Sequence, residues 1–190
     1  MEVVSFTRMA DGTAEEYALL DRELAPHAAK ALAELPTYMS KLLHEQQGNA
    51  MGYKIDRYQH SLQTATRAFR SGADEETVAV AVLHDVGDGI GVFNHSEFIA
   101  ALLRPFVSER NHWVLKYHGL FQGYYYFHHS GGDRNARDRF RDHPHYQACV
   151  DFCENWDQCS FDPNYDTMPF SAFEPMVYRL FAKAPTNGFI

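Results

Sequence analysis

The sequence predicts an all-α domain, a bundle of helices around one core. Apolar residues recur at helical spacing along most of the chain, proline and glycine residues divide it into segments of helical length, and the stretches between them are short and polar. The chain has 190 residues, of which 45% are apolar. It can therefore bury a core without a disulfide or a structural metal, and we expect one domain over residues 1–190.

Residues 1–50 have the features of packing helices. We expect an extended arm over the first ten residues. Thr13 and Glu16 then form a capping-box pattern that begins a helix, which Pro26 is expected to kink, and Pro36 is expected to end a second helix. This second helix is predicted over residues 28–35, and a third is predicted over residues 38–47, before Gly48.

The next segment has the clearest helix boundaries. A helix is expected over residues 58–70, with Gly72 as its stop, and Asp74 caps the helix that follows. That helix is apolar on nearly every side over residues 78–83, so we expect it to be the buried centre of the bundle. The pair His84-Asp85 stands at its C-terminal end, before a glycine-rich loop.

More helices are expected beyond this pair. Asn94 and Glu97 form another capping-box pattern, Ser108 begins a helix that Gly119 is expected to close, and the aromatic residues 121–127 suggest either a new helix or an irregular wall. The last two helices are predicted after Pro144, with Asp157 on the apolar face of Cys153, and over residues 170–182.

Composition narrows the class of partner. The net charge of -8 at pH 7 argues against nucleic acid or an anionic membrane, since both favour basic surfaces. The sequence has no signal-peptide pattern and no apolar run of about 18 residues. We therefore expect a cytoplasmic protein, a monomer or homodimer, that acts on a small molecule. Its three cysteines are expected to be reduced thiols.

Six side chains of metal-ligand type fall at helix ends or on apolar helix faces. A single histidine there is more often a hydrogen-bonded structural residue, but the six together would require six independent coincidences. Four imidazoles and two carboxylates exceed what one octahedral ion needs and suit two ions that share a carboxylate, with Asp85 as the natural bridge. The predicted ligands, expected at the centre of the bundle, are His60, His84, Asp85, His95, His118 and Asp157.

The order of these residues resembles the HD-domain superfamily. Within it, the two additional histidines resemble the branch of mixed-valent diiron oxygenases, which includes 2-amino-1-hydroxyethylphosphonate dioxygenase, its trimethylammonio-phosphonate counterpart and, more distantly, myo-inositol oxygenase. The resemblance covers residues 53–157, a metal-binding core, with residues 158–190 left as a C-terminal loop and helix. The segments that carry it are Gln59-His60-Ser61-Leu62-Gln63 and Leu83-His84-Asp85-Val86-Gly87.

The resemblance implies a reaction and a ligand set. It implies two iron ions, Fe²⁺ and Fe³⁺, that use O₂ to cleave a C–C or C–P bond of a small hydroxylated substrate, with a phosphonate or quaternary-ammonium group among the candidates. It also assigns the ligands to two irons that share Asp85. One iron would be bound by His60, His84, Asp85 and Asp157, and the other by Asp85, His95 and His118.

The chain departs from these relatives where they bind an anionic substrate. Asp88 stands in place of a histidine or lysine that touches substrate, Gln122 in place of a lysine, and Glu154 in place of an arginine. This loss of positive charge puts a phosphonate in doubt. An anion would then rely on Arg134, Arg137 or Lys116, whereas a cationic group would be received by Asp88 and Tyr124, Tyr125 and Tyr126.

Substrate contacts are therefore expected from Asp88, Gln122, Tyr58 and Arg134. Tyr53 or Tyr58 can cover the site or lie on the surface. Two other functions remain open at this stage. The first is a phosphohydrolase that uses other divalent metals to cleave a phosphate ester or nucleotide, and the second is a metal-binding regulatory domain without catalysis.

Overall fold

The computed structural model describes residues 2–183. It is an all-α bundle, as predicted, with seven α-helices and no strand among the described residues. Residue 1 and residues 184–190 of the expected domain lie outside the described range. The helices are α1 (Ala14–His44), α2 (Arg57–Arg70), α3 (Glu75–Leu83), α4 (His95–Leu103), α5 (Glu109–Tyr126), α6 (Tyr146–Phe152) and α7 (Phe170–Ala182).

Helix α3 is the centre of the bundle. Every residue from Thr77 to Leu83 is buried, and α2, α5 and α7 pack around this helix. Asp74 caps it by accepting a hydrogen bond from the Thr77 amide, and Gly72 adopts a positive φ of 80° that ends the preceding helix. These predictions are confirmed, and they place His84-Asp85 deep in the core.

Helix α1 is one continuous helix over Ala14–His44, so the prediction of three helices here, one of them ending at Pro36, is wrong. The capping box of Thr13 and Glu16 is present, and Phe6 of the N-terminal arm packs on Tyr17 with ring centroids 5.5 Å apart. Each proline removes one amide donor, but helix continues on both sides. Pro36 is buried, and α1 packs against α7, so tertiary packing outweighs the lost hydrogen bond.

Helix α5 passes through Gly119, which was predicted to end it, and continues over most of the aromatic residues 121–127. The glycine serves a close helix contact instead. A Cβ at Gly119 would lie 2.8 Å from Ser96 Oγ on α4, which is closer than side chains pack. The predicted capping box of Asn94 and Glu97 is also wrong, because Asn94 makes no side-chain capping hydrogen bond.

The chain after α6 winds into a π-helical turn, Cys153–Asp157. The Gln158 amide donates to the Cys153 carbonyl at 3.0 Å, a span of five residues instead of the four of an α-helix. The prediction of a uniform α-helix up to Asp157 is therefore wrong. Cys149 and Cys153 are buried thiols without a disulfide, as predicted. Within residues 2–183, no helix is both long and apolar enough to cross a membrane.

Candidate metal centre

Asp85 lies at the point where four helices and the π turn meet. Its side chain is 3% exposed, and its backbone carbonyl accepts a hydrogen bond from the side-chain Nε2 of Gln46, in the segment that follows α1. Each carboxylate oxygen faces a different pair of imidazoles. Oδ2 lies 3.3 Å from Nε2 of both His60 and His84, whereas Oδ1 lies 3.4 Å from His95 Nε2 and 3.2 Å from His118 Nε2.

Asp157 completes the half of the cluster on the Oδ2 side. Its Oδ1 lies 3.2 Å from His60 Nε2 and 3.7 Å from His84 Nε2, and the two Nε2 atoms are 3.3 Å apart. A π turn rotates the chain less per residue than an α-helix does. The Asp157 side chain therefore points in a different direction from the one it would have in a regular α-helix, and in this direction it faces the cluster. All six predicted side chains thus meet in one place.

The imidazole rings are oriented by their outer nitrogens. Nδ1 of His60 lies 2.9 Å from the Ser160 carbonyl, Nδ1 of His84 lies 2.8 Å from the Ala81 carbonyl, and Nδ1 of His118 lies 2.7 Å from that of Leu115. A carbonyl only accepts, so each Nδ1 carries the proton and donates it. Nε2 is therefore the nitrogen that faces the cluster, and once it carries no proton its lone pair can bind a metal, as in histidines that bind metals.

The glycine-rich loop and Gly119 provide the space for His95. A Cβ at Gly87 would lie 3.1 Å from the His95 carbonyl oxygen, one at Gly91 would lie 3.5 Å from the His95 Cα, and one at Gly119 would lie 3.8 Å from its ring. Of these three contacts, the one at Gly87 is tighter than ordinary van der Waals packing, so a side chain there would push the N-terminus of α4 outwards. Gly87 therefore helps an imidazole that begins a helix to reach a carboxylate at the end of α3.

The histidines and aspartates of the cluster shift one another's pKa values in opposite directions. Burial opposes charge on the His84 ring, but Asp85 and Asp157 beside it raise the pKa of His84 to about 10. Burial also favours the neutral acid at Asp85, yet His84 and Arg57 hold the pKa of Asp85 well below its ordinary value. Since His84 retains a proton in the metal-free protein, a metal ion at this position would have to displace it.

Arg57 is a component of the centre that the sequence reasoning missed. Its Nη2 contacts Asp85 Oδ2, and its Nε lies 2.8 Å from Asp88 Oδ2. Burial works against the charge of the guanidinium, but Asp85 and Asp88 raise the pKa of Arg57 above its usual range. A signal was available, because Arg57 precedes His60 by three residues on α2 and so lies on the same helix face.

A cavity of about 250 Å³ opens onto the cluster. Tyr53 stacks on Phe161 with ring centroids 4.6 Å apart, and Phe161 stacks on His60 at 4.3 Å. The two rings form an apolar wall beside the ligands. Apart from the metal-ligand candidates, the side chains that line the cavity include Tyr53, Arg57, Gln122, Tyr125, Tyr126 and Phe161.

Of the four predicted substrate contacts, Gln122 alone lines this cavity, and its buried Oε1 has no hydrogen-bond partner among the described residues. Asp88 lies behind His95, with its Oδ1 3.1 Å from His95 Nδ1. Tyr58 is buried against His44, and the guanidinium of Arg134 lies 4.3 Å from the centre of the Tyr124 ring. The geometry does not support direct substrate contact by these last three residues.

The other charged and aromatic candidates divide in the same way. Tyr125 and Tyr126 line the cavity, but Tyr124 packs under Arg137, whose guanidinium lies 3.8 Å from the ring centre. Lys116 lies over the Tyr117 ring at 5.5 Å. Neither of these cations lines the cavity.

The donor set fits metal ions. Donors around one ion with bonds of about 2.1 Å are separated by about 3.0–3.4 Å in octahedral or tetrahedral geometry, and most separations in the cluster lie near this range. Groups of at least three ligand atoms lie within 4.8 Å of one another, and two of these groups are entirely buried. The Nε2 atoms of His60 and His84 face each other at 3.3 Å, so a metal ion that displaced the His84 proton could be bound by both rings.

The buried cluster of histidines and aspartates can therefore hold a metal ion. Comparison of the chain with protein-family models gives no match, and comparison with curated proteins gives none either.

Proposed function

We propose that the chain is an HD-type dinuclear metal enzyme, and that it acts as a non-heme diiron oxygenase on a small hydroxylated substrate, cleaving a C–C or C–P bond. One observation carries the proposal. The two oxygens of Asp85 face separate pairs of imidazole nitrogens, at 3.2 to 3.4 Å. A carboxylate in this position could be shared by two ions, which is the arrangement expected of dinuclear sites.

The residues divide into two ligand groups around that bridge. His60, His84 and Asp157 would hold one ion on the Oδ2 side of Asp85, and His95 and His118 would hold the other on the Oδ1 side. Nitrogen and carboxylate donors without a thiolate suit iron in either oxidation state. When bound, two iron ions would supply the redox chemistry that activates dioxygen.

The walls of the cavity supply binding and orientation. Phe161 and Tyr53 cover the His60 side, so they exclude water from the ligands there. The Oε1 of Gln122, which has no hydrogen-bond partner within residues 2–183, is an acceptor suited to a hydroxyl or amino group of the substrate. Arg57 keeps Asp85 ionised by its contact with Oδ2, which preserves the carboxylate for its bridging role.

The cation content of the cavity favours the oxygenase over a phosphohydrolase. Arg57 is the one Lys or Arg side chain among the described residues that line the cavity, and it is already paired with Asp85 and Asp88. A polyphosphate bound there would have no unpaired cation to meet it. A neutral or cationic substrate end, in contact with the tyrosines, suits this lining better.

Arg57 is also the observation that keeps a metal-dependent phosphohydrolase as the alternative. A guanidinium at the bridging carboxylate can bind one oxygen of a phosphate ester if it exchanges a carboxylate contact for it. In this function, other divalent ions at the same ligands would activate water. His95 and His118 would serve either reaction, so the ligands alone do not discriminate.

The two functions are separated by metal loading and assay of one preparation. Protein reconstituted with iron and partly reduced is expected to give a mixed-valent diiron EPR signal, and Asp85→Asn, which keeps the side-chain shape without the bridging charge, is expected to lose it. Absence of the signal in the wild type, together with hydrolysis of a phosphoester in the presence of manganese, would reject the oxygenase.

A further inference from the structure

His95 is the least buried of the four imidazoles in the centre. Its side chain is 24% exposed, whereas those of His60, His84 and His118 are exposed by 3% or less. Surrounding atoms therefore restrict its ring less than they restrict the other three. A metal ligand with such freedom requires a specific partner to hold its orientation.

The partner of His95 differs in kind from those of the other histidines. Backbone carbonyls hold the other three rings, but Nδ1 of His95 faces the carboxylate of Asp88, with Oδ1 at 3.1 Å. A carboxylate is a stronger acceptor than a carbonyl because it is charged. It also makes the opposite nitrogen, Nε2, a better metal donor.

Arg57 holds Asp88 in place. Its Nε and Nη2 lie 2.8 and 2.7 Å from Asp88 Oδ2, which leaves Oδ1 for His95. The same Nη2 contacts Asp85 Oδ2. The side chains of Arg57 and Asp88 are only 11% and 10% exposed, so solvent weakens this pair less than it would a surface pair.

We propose that Asp88 and Arg57 are positioning residues that control occupancy of the metal position formed by His95 and His118. This inference rests on the proposed dinuclear centre and adds a division of labour within it. The position formed by His60, His84 and Asp157 has rings fixed by carbonyls, and its affinity does not depend on Asp88. The other position has three protein ligands, one of which requires the Asp88 carboxylate.

A calorimetric titration of the metal-free protein with Co²⁺ tests the proposal without any activity assay. The wild type is expected to bind two ions per chain in two steps. Asp88→Ala is expected to weaken one step by about 10- to 100-fold, the usual effect of removing a partner of a metal-bound histidine, and to leave the other step within about twofold. The affected step is identified as the one that His95→Ala abolishes.

Two further variants separate positioning from general damage to the fold. Asp88→Asn keeps an acceptor for His95 without the charge, so we expect its affinity for Co²⁺ at the affected step to lie between those of the wild type and Asp88→Ala. Asp166→Ala is the matched control, because Asp166 is also an aspartate paired with an arginine, Arg70, at 2.7 Å, but its side chain is 92% exposed. This control is expected to leave both steps unchanged.

The outcomes distinguish the inference from the function on which it rests. If the wild type binds two ions and Asp88→Ala leaves both steps unchanged, or weakens both equally, the inference is wrong and the dinuclear centre stands. If the wild type binds no more than one ion per chain, both are wrong. Arg57→Gln is expected to weaken the same step as Asp88→Ala, because it releases Asp88, and to affect the other step as well, because Arg57 also contacts Asp85 Oδ2. At the step that His95→Ala abolishes, the double variant is expected to add little to Asp88→Ala alone.

Discussion

Replacing Gly119 by alanine tests whether α4 and α5 pack as closely as the position of His95 requires. The new Cβ would lie 2.8 Å from Ser96 Oγ, and ordinary contacts begin at 3.4 Å. The helices would therefore have to separate by about 0.6 Å, unless Ser96 changes rotamer. Ser96 is a buried residue whose Oγ also lies 3.5 Å from His118 Nε2, so either adjustment disturbs two metal-ligand candidates.

The expected magnitude combines two opposing effects. Overpacking in a close-packed interior costs about 1–3 kcal/mol, whereas alanine is favoured over glycine within a helix by about 1 kcal/mol. Gly119→Ala is therefore expected to lower the free energy of unfolding by up to about 2 kcal/mol. In a Ser96→Ala background the Oγ is absent, and the same substitution is expected to be neutral or stabilising by about 1 kcal/mol.

A double-mutant cycle measures this difference directly. Urea unfolding of the wild type, the two single variants and the double variant in metal-free buffer gives a coupling energy, expected to be about 1–3 kcal/mol, in which helix propensity cancels. Coupling below about 0.5 kcal/mol would refute the reasoning, because distant sites add within that margin. It would mean that the Cβ at position 119 does not meet Ser96.

Three further predictions concern the centre and α1. His95→Ala and His118→Ala are each expected to lower metal content towards one ion per chain, measured by elemental analysis. Hydrogen bonds from the Thr13 and Ser5 amides lower the pKa of Glu16 from 4.5 to about 2. The stabilisation of α1 by Glu16 is therefore complete above pH 4.5 and lost as the pH falls towards 2, and the helicity measured by circular dichroism should fall in step. Pro26→Ala is expected to slow amide exchange in the N-terminal half of α1, because it restores a backbone donor.

Each of these predictions has a result that contradicts it. Two ions retained in His95→Ala or His118→Ala would remove that residue from the centre. The variant Glu16→Gln has no carboxylate at position 16 to protonate, so it should not lose helicity between pH 4.5 and 2 for this reason. If its helicity falls with pH as in the wild type, another group causes the loss. Ala25→Gly serves as a reference variant that destabilises the helix. If the amides of α1 exchange faster in Pro26→Ala than in the wild type, as they should in the reference, the proline favours the helix.

Local signals predicted the central helices well. Asp74 caps α3 through the Thr77 amide, and Gly72 ends α2 with a positive φ, because a cap depends on residues a few positions away in sequence. The run of apolar residues in α3 likewise predicted its burial. These elements place His84-Asp85 in the core, so the main part of the candidate centre was accessible from sequence.

The failures occur where tertiary contacts outweigh local signals. Pro36 predicts the end of a helix, yet it is buried within α1. Gly119 also predicts a helix end, yet it lies within α5, where its lack of a side chain allows Ser96 to come close. Arg57 was missed for a related reason. Helix periodicity places Arg57 on the face of His60, but its role depends on Asp85 and Asp88, which are 28 and 31 residues away in the chain, and periodicity does not identify such partners.

The π turn at Cys153–Asp157 also affects the spacing of the ligand candidates when this sequence is compared with others. A π turn accommodates one residue more than an α-helical turn, while the segments on either side keep their course. In a chain whose helix lacks this turn, the carboxylate that reaches the same place would be encoded one codon earlier. A search pattern with a fixed number of residues between His118 and the aspartate would then miss that chain, although every ligand is present.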